Sequence, residues 1–440
     1  MKKGLVFMMC LFLIIPSLMF ASGDKEAASS SKKQNVNVVY KEVEGYDHWL
    51  TDAKARFEAA NPDITVTLSK MPSTEADYNT KTALMLQTDS SVDVMVVDSF
   101  LVPSLVAGDN LAPIPVDSWA DWETQFSSSI RDGMTIGGNV YALPYSTDTR
   151  GLYYNIEVFK QAGIRTPWNP KSWDDVIAAV AELHKAGVEY PLWMNASKAQ
   201  GEATTMQTFE MLLGGTDDWL YEHGKWVVSS PGMISALGFL ERIQDMGIYS
   251  NSDLAVMLDA NSYRVLNEKF PLTGEVGIVL DGNWKGADWI NALGDTATDV
   301  IAVTPMPNEK GDGFSSMSGG WTLGISPLSK KQDIAFAFIQ TAVDKEGSLA
   351  LVNMTGDMTV RKDVVSEPSY MSFNPYRAVM SSFTEFTKFR PGVDAYPSVS
   401  IEIQTAVESV VSGQMTAAEA ASVYARNVKS IVGDGNWIEK

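Results

Sequence analysis

Apolar positions along the first hundred residues follow two periods in turn. Residues 36–40 and 64–68 alternate apolar and polar side chains, which predicts two strands. Between them, apolar residues recur every three or four positions up to the Asn61-Pro62 pair, which predicts a helix that ends there. A second helix over residues 76–87 and a continuous apolar strand over 92–97 follow. This strand-helix-strand alternation predicts an α/β fold.

The same patterns continue to the end of the chain. The sequence Ser172-Trp-Asp-Asp175 is typical of a capping box that begins a helix, and Gly187 is placed to end it. Other elements follow from periodicity: helices over 173–186, 203–213, 231–246, 334–343, 401–411 and 416–431, and strands over 275–280, 300–303 and 319–325. Sheets of this kind are covered on both faces and bind ligands beyond the carboxyl ends of their strands.

One polar stretch separates two extended runs. Pro144 ends the first run and Leu152 begins the second, so residues 146–150 are predicted to cross between two bodies. A hinge and a ligand would meet at such a crossing.

Length and composition define the class of protein. A chain of 440 residues, 45% apolar and 20% charged, is too long for one ordinary core, which predicts two domains or two lobes. The formal charge of −20 argues against binding to nucleic acid or to an anionic membrane surface, since both need basic residues.

The amino terminus has the pattern of a secretory signal peptide. Met1-Lys2-Lys3 is basic, residues 5–15 are apolar, and Ala21-Ser22-Gly23 are small, so residues 1–23 are predicted to be a signal peptide. Residues 24–35 are predicted to be a flexible tether. Cys10, the only cysteine, lies in the apolar run, so we expect a mature protein without disulfides. We expect an exported, periplasmic protein, either free or associated with the membrane.

Several side chains near predicted strand ends suit a small polar ligand. Glu44, Tyr46 and Asp98 follow predicted strands. The alternatives are a solvated glutamate, a tyrosine that packs at the start of a helix, and an aspartate that caps the next helix.

Two tryptophans and two charged residues are further candidates. Trp284 follows Gly282 and Trp321 follows Gly319-Gly320, where the absent side chains let a ligand approach the ring. The alternative for both is a tryptophan in a core. Asp148 lies in the polar crossing, and its alternative is a salt bridge with Arg150.

Motifs for catalysis are missing from the sequence. The chain has three histidines, no His-Glu-x-x-His helix, no phosphate-binding loop, no Gly-x-Ser-x-Gly elbow and no calcium-loop spacing. We therefore expect no metal and no cofactor. A pair of carboxylates for glycoside cleavage is left open, and Asp98 with Asp148 is the pair to test.

The order of motifs resembles one known family. The crossing continues as Tyr154-Asn155 and Phe159-x-x-x-Gly163, and the stretch 359–362 and two closing helices follow in order. This resembles the extracellular solute-binding proteins of family 1, the sugar receptors of ABC importers. The resemblance implies a two-lobe periplasmic-binding-protein fold, type II-like, with a hinge of several crossings. It divides the chain into a first lobe of residues 36–145 plus 302–326, and a second of 146–301 plus 327–440.

The resemblance also implies a function. It predicts a receptor, not an enzyme, that closes over a mono- or oligosaccharide and delivers it as a monomer to the permease subunits of an ABC importer. It implies ligand contacts at Glu44, Tyr46, Tyr78, Asp98, Asp148, Arg150, Trp284, Trp321 and Arg361. For Arg361 the alternative is an ion pair between the lobes. A secreted carbohydrate-active hydrolase and an ABC receptor for a non-sugar solute are the alternative functions.

Overall fold

The structure is a computed structural model that describes residues 33–73 and 75–440. The predicted signal peptide, Cys10 and most of the predicted tether lie outside the described residues. Two mixed β-sheets with flanking helices form the framework of two lobes. The predicted α/β fold is confirmed.

Strands and helices are numbered in chain order. The strands are β1 Gln34–Lys41, β2 Ile64–Met71, β3 Val94–Asp98, β4 Thr135–Ile136, β5 Asn139–Val140, β6 Ala142–Pro144, β7 Arg150–Asn155, β8 Tyr190–Trp193, β9 Tyr221–Glu222, β10 Lys225–Ser229, β11 Val276–Gly282, β12 Ile301–Thr304, β13 Met306–Pro307, β14 Phe314–Ser318, β15 Trp321–Ile325, β16 Thr387–Phe389 and β17 Trp437–Glu439.

The α-helices lie between and after these strands. They are α1 Tyr46–Ala60, α2 Glu75–Thr88, α3 Val102–Ala107, α4 Ala120–Gln125, α5 Ser128–Met134, α6 Ile156–Gln161, α7 Trp173–Lys185, α8 Glu202–Thr204, α9 Met211–Gly214, α10 Pro231–Asp245, α11 Asn251–Met257, α12 Ser262–Glu268, α13 Lys285–Leu293, α14 Ala297–Val300, α15 Gln332–Val343, α16 Lys345–Val352, α17 Lys362–Val365, α18 Pro368–Phe373, α19 Pro375–Ser381, α20 Tyr396–Val411 and α21 Ala417–Val432. Two π-helical segments, Thr205–Glu210 and Lys269–Thr273, and several short 3₁₀ turns complete the chain.

Local sequence explains where the helices begin and end. In α1 the apolar residues Trp49, Leu50 and Phe57 are buried, as their spacing predicts. Asn61 ends this helix by donating from its backbone N–H to the Phe57 carbonyl, and a proline follows. The capping box predicted for α7 is present, and α21 begins with another, formed by Thr416 and Glu419.

The first lobe is built on a five-stranded sheet with the order β2-β1-β3-β15-β6. β1 is parallel to β2 and β3, whereas β15 is antiparallel to β3 and β6. Helices α15 and α16 pack against α1. The Trp49 indole donates to the Ala342 carbonyl over 2.9 Å, and the rings of Phe57 and Phe338 lie 5.6 Å apart.

The second lobe is built on a four-stranded sheet with the order β12-β7-β11-β8. β7 is antiparallel to β11 and β12, and β8 is parallel to β11. Helices α10, α20 and α21 pack together in this lobe. A small sheet of β13, β14 and β16 lies at its side facing the hinge.

Two segments lie in a different lobe from the one predicted. β12 hydrogen-bonds to β7, and the chain returns to the first lobe only after β14, so residues 302–318 lie with the second lobe although residues 302–326 were predicted in the first. Conversely, α15 and α16 pack on α1 in the first lobe, although residues 327–440 were predicted in the second. Apolar periodicity shows that a segment is buried but does not show which sheet it covers.

The hinge consists of neighbouring connections held together by hydrogen bonds. Within the described residues the chain passes between the lobes after β6, after β14 and again between α17 and α19. The Tyr145 amide donates to the Trp321 carbonyl over 3.0 Å, and the Thr147 amide donates to the Met358 carbonyl over 2.9 Å. The Thr149 amide donates to Asn283 Oδ1 over 2.8 Å. These bonds join the connection after β6 to the start of β15, to the segment before α17 and to the segment after β11.

We predict that Gly320→Ala in this hinge lowers the free energy of unfolding by about 2 kcal/mol or more. Gly320 has a φ of 142°, and an added Cβ would lie 2.1 Å from the Ser146 carbonyl oxygen. Gly238→Ala in α10 is the matched control, since no atom lies within 4 Å of its added Cβ. That control should be neutral or stabilising by up to about 1 kcal/mol. Urea unfolding of both variants checks the prediction, and equal stability of the two would contradict it.

Candidate ligand-binding cleft

Each sheet ends beside a tryptophan at the boundary between the lobes. In the first lobe Asp98 ends β3 and lies opposite Trp321, which begins β15. In the second lobe Gly282 ends β11 opposite Arg150, which begins β7. The Trp284 indole packs on Gly282, because a Cβ on that glycine would lie 2.1 Å from the ring. The strand ends therefore bring two indoles and two charges to the cleft.

The hinge residue Asp148 is held by groups from two connections. Its Oδ1 accepts from the Gly319 amide over 2.7 Å and from Arg150. Arg150 also donates to the Met317 carbonyl over 3.1 Å and lies 4.9 Å from the centre of the Trp284 ring. Both charged side chains are buried. The salt bridge named as the alternative for Asp148 is thus present.

An arginine that follows β16 joins carboxylates from both lobes. Arg390 Nη2 lies 2.7 Å from Asp98 Oδ1 of the first lobe, and Nη1 lies 3.3 Å from Glu202 Oε2 of the second. The three side chains are 5% to 8% exposed. Burial alone would lower the pKa of Arg390, but Asp98 and Glu202 outweigh this and raise it. The guanidinium therefore stays charged and pairs both carboxylates.

A second carboxyl group lies behind Glu202. The Tyr396 hydroxyl lies 3.1 Å from Glu202 Oε2 and 2.9 Å from Glu210 Oε1, and it can donate only one hydrogen. Burial first, and then the charge of Glu202, raises the pKa of Glu210 to about 8. A proton on Glu210 satisfies this geometry, because Glu210 then donates to Tyr396 while Tyr396 donates to Glu202.

Asp357 forms a further polar group next to the hinge. It lies beside the Tyr46 hydroxyl, and its backbone amide donates to Thr355 Oγ1 over 3.2 Å. Burial, and then the charge of Asp148, raises its pKa to about 6. One of its carboxylate oxygens is buried without a hydrogen-bond partner.

Most of the predicted contact residues lie at or near the cleft. The strand ends and the hinge are lined by five of them, as described above: Asp98, Asp148, Arg150, Trp284 and Trp321. Tyr78 is buried beneath Trp321, with ring centres 6.0 Å apart, and its hydroxyl donates to the Val96 carbonyl over 2.7 Å. Tyr46 is buried and packs against Tyr145.

The remaining two predicted residues differ in position. Glu44 is exposed at the rim, where it accepts from Asn291 of the second lobe over 3.4 Å. Arg361 is bound by Asp363 and by Asp121, each at 2.8 Å, and donates to the Val343 carbonyl over 3.1 Å. These partners anchor Arg361 beside α4 in the first lobe, away from the tryptophans. Its guanidinium is engaged in holding that lobe together, so it no longer supports a ligand contact.

Five polar residues at the cleft were not predicted from the sequence. They are Glu202, Glu210, Asp357, Arg390 and Tyr396. Arg390 is separated from Asp98 by 292 positions and from Glu202 by 188. A single sequence carries no signal for such pairs. The turn residues Pro391 and Gly392 mark a loop but give no partner for it.

Two features are absent from the part of the chain that the structure describes. Over residues 33–73 and 75–440, no helix has the length and apolar character needed to cross a membrane. In the same part of the chain, no group of three or more His, Cys, Asp or Glu side chains could hold a metal ion.

Comparison with known families gives one match over most of the chain. The model of the bacterial extracellular solute-binding proteins matches residues 41–348. A mannitol-binding protein of Pseudomonas aeruginosa is 25% identical over 293 residues, which is 64% of this chain and 63% of that protein. A galactooligosaccharide-binding protein of Bacillus subtilis is 20% identical over 431 residues, 97% of each chain.

Solved structures share the two-lobe fold. Maltose-bound MalE3 of T. maritima superposes with a TM-score of 0.76 at 20% identity, covering 90% of this chain and 99% of that one. A solute-binding protein from Thermotoga lettingae bound to α-D-tagatose superposes with a TM-score of 0.76 at 23% identity, covering 91% and 100%. The predicted two-lobe fold is therefore confirmed.

We predict that the stability of the protein falls as pH rises from about 5 to about 8 through Glu210. Its pKa is higher in the folded state, so its contribution is complete below the unfolded value near 4.5 and is lost as pH rises through about 8. Glu210→Gln should remove this part of the pH dependence, on the order of 3 kcal/mol. Urea unfolding between pH 5 and pH 9 measures it.

Glu182→Gln is the control for this measurement, because Glu182 is an exposed residue of α7. It should keep the wild-type pH profile. An unchanged profile in Glu210→Gln would show that Glu210 is not protonated in the folded protein.

Proposed function

The chain belongs to the family of bacterial extracellular solute-binding proteins, and we propose that it captures a small carbohydrate between its lobes and delivers it to the permease subunits of an ABC importer. The observation that carries this proposal is the pair of half-buried indoles, Trp284 and Trp321, at facing strand ends beside buried carboxylates. Indole rings suit the apolar faces of a sugar ring, and carboxylates accept hydrogen bonds from its hydroxyls. The relatives named for mannitol and galactooligosaccharide support the same class of ligand.

Hinge closure is the proposed mechanism of capture. A solute that contacts Trp321 of the first lobe and Trp284 of the second binds the closed state better than the open state, and this difference alone shifts the population. About 5.5 kcal/mol of differential affinity moves a population from 1% to 99% closed. Two stacked rings and a few charge-assisted hydrogen bonds supply free energy of this order.

The proposed receptor leaves its ligand intact. A glycosidase needs one carboxyl group that donates a proton and a second that attacks or activates water. Asp98 is paired with Arg390, and Asp148 accepts from Arg150 and from the Gly319 amide. Both carboxylates are thus already engaged as hydrogen-bond acceptors, which supports binding over hydrolysis.

Export, partner and oligomeric state belong to the same proposal. The basic and apolar start of the chain supports export to the periplasm, and the charge of −20 argues against nucleic acid as a partner. We expect the receptor to act as a monomer.

A receptor for a non-sugar solute is the second candidate, because one relative, from Sinorhizobium fredii, is named as a probable amino-acid ABC transporter periplasmic-binding protein.

Calorimetry against neutral sugars, hexitols and amino acids tests the class of ligand. We predict binding of a carbohydrate or hexitol, and mass spectrometry of the recovered ligand should show it unchanged after incubation. Cleavage products would indicate the hydrolase instead. Binding of amino acids alone would indicate the second candidate.

We predict that Trp284→Ala and Trp321→Ala each weaken carbohydrate binding by about tenfold or more, with little change in Tm. Each substitution removes a stacking surface from one lobe. Trp437→Ala is the matched control. Trp437 is a half-buried indole in β17, and its ring packs against Lys429 Nζ of α21 at 4.2 Å instead of lying at the cleft. Titration calorimetry measures the affinities. Wild-type affinity in both cleft variants would place the site elsewhere.

A further inference from the structure

One end of the cleft is closed by direct contact between the lobes. Arg390 donates to Asp98 of the first lobe over 2.7 Å, and it is within 3.4 Å of Ser99 Oγ in the same lobe. Its other terminal nitrogen binds Glu202 of the second lobe. These charged groups are buried, so each carboxylate depends on Arg390 for an opposite charge.

Apolar groups complete this closure. The guanidinium carbon of Arg390 lies 4.5 Å from the centre of the Phe100 ring. The Phe100 ring of the first lobe in turn meets the Tyr396 ring of the second in an edge-to-face contact at 5.6 Å. Helix α2 of the first lobe contacts the segment around α8 in the second. We call Arg390, Asp98, Glu202, Phe100 and Tyr396 the cleft seal.

A second contact between the lobes has a different character. Asn291 of the second lobe donates to Glu44 of the first in a long hydrogen bond of 3.4 Å, and both residues are exposed. Trp284 and Trp321 are half-buried, whereas Phe100 and Tyr396 in the seal are buried. The contact at Arg390 is therefore buried and charge-paired, whereas the contact at Glu44 is open to solvent.

We propose that the cleft seal sets the length of the solute, so that the receptor takes a monosaccharide, hexitol or disaccharide and rejects longer oligosaccharides. This inference rests on the carbohydrate function proposed above. When the lobes close on a short solute, Arg390 can pair Asp98 and Glu202 again. A longer chain would hold these groups apart and separate the buried carboxylates from the cation that balances them, which is a penalty against the wrong ligand.

An arginine side chain suits the position of residue 390 in the cleft seal. A guanidinium presents donors in several directions and can bind two carboxylates from different elements at once while it lies flat on an aromatic ring. Glu210 and Ser400 lie behind Glu202 and Tyr396 and fix them by hydrogen bonds. The seal is thus supported from within the second lobe and completed only by the first.

Retention of saccharides from a defined mixture tests the proposal. The purified protein is incubated with neutral malto- and galactosaccharides of one to seven units and with mannitol, separated by gel filtration, and the retained ligands are identified by mass spectrometry. The wild type should retain compounds of one or two units. Arg390→Ala should also retain chains of four or more units, with affinity for them raised about tenfold or more.

Lys388→Ala is the matched control, because Lys388 lies two residues earlier in β16 and contacts Trp219 rather than the cleft. It should keep the wild-type length limit. Glu202→Gln removes the second-lobe charge that Arg390 pairs, while its side-chain oxygen can still accept from Ser400, and it provides the same test if Arg390→Ala does not fold.

The possible results separate this proposal from the function on which it rests. Wild-type retention of chains of four or more units, as tight as that of shorter ones, would overturn the length limit while leaving carbohydrate binding intact. A folded Arg390→Ala or Glu202→Gln variant with the wild-type limit would also overturn it. Retention of no saccharide or hexitol by any variant would refute the carbohydrate function itself.

Discussion

The structure depends on pairing the charges that two lobes bury when they meet. Asp98 reaches the cleft from the first sheet, Arg150 from the second, and Asp148 from the hinge between them. A buried charge without a partner is costly, so contact between the lobes is stabilised where a carboxylate is paired with an arginine. Arg150 and Arg390 serve this purpose, because each guanidinium binds a carboxylate and also contacts an aromatic ring of the cleft. The same charges make the cleft polar enough to receive a hydroxyl-rich solute.

Backbone topology explains why these groups meet. β15 belongs to the first sheet, although the preceding strand, β14, lies with the second lobe. Gly319 and Gly320 form the short connection between the two strands. That connection runs against residues 145–149, which lead in the other direction. The close approach of these two connections leaves no room for side chains, and this places the hinge, Asp148 and Trp321 within one small region.

Local sequence predicts part of this arrangement well. Trp284 and Trp321 were predicted at the cleft because glycines precede them at strand ends, and Asp98 and Asp148 because they follow a strand or occupy a polar crossing. The structure puts all four where those local signals indicate, while their roles in binding stay proposals. The π-helical carboxyl Glu210 and the arginine Arg390 carry no such local signal, since their positions depend on contacts between distant segments. Arg361 is the opposite case. Its place in a loop suggested a ligand contact, but its guanidinium forms ion pairs with Asp121 and Asp363 in the first lobe.

Movement of the two lobes around a bound solute is the central claim of this account. It is measured most directly by the distance between spin labels on Lys81→Cys in α2 and Lys198→Cys beside α8, two exposed positions on facing elements of the two lobes. Cys10, the only native cysteine, lies in the predicted signal peptide, so the mature protein would carry these labels alone. The account predicts a broad distribution that includes long distances without ligand and a single short distance at saturating carbohydrate. Identical distributions with and without a saccharide that calorimetry shows to be bound would contradict it.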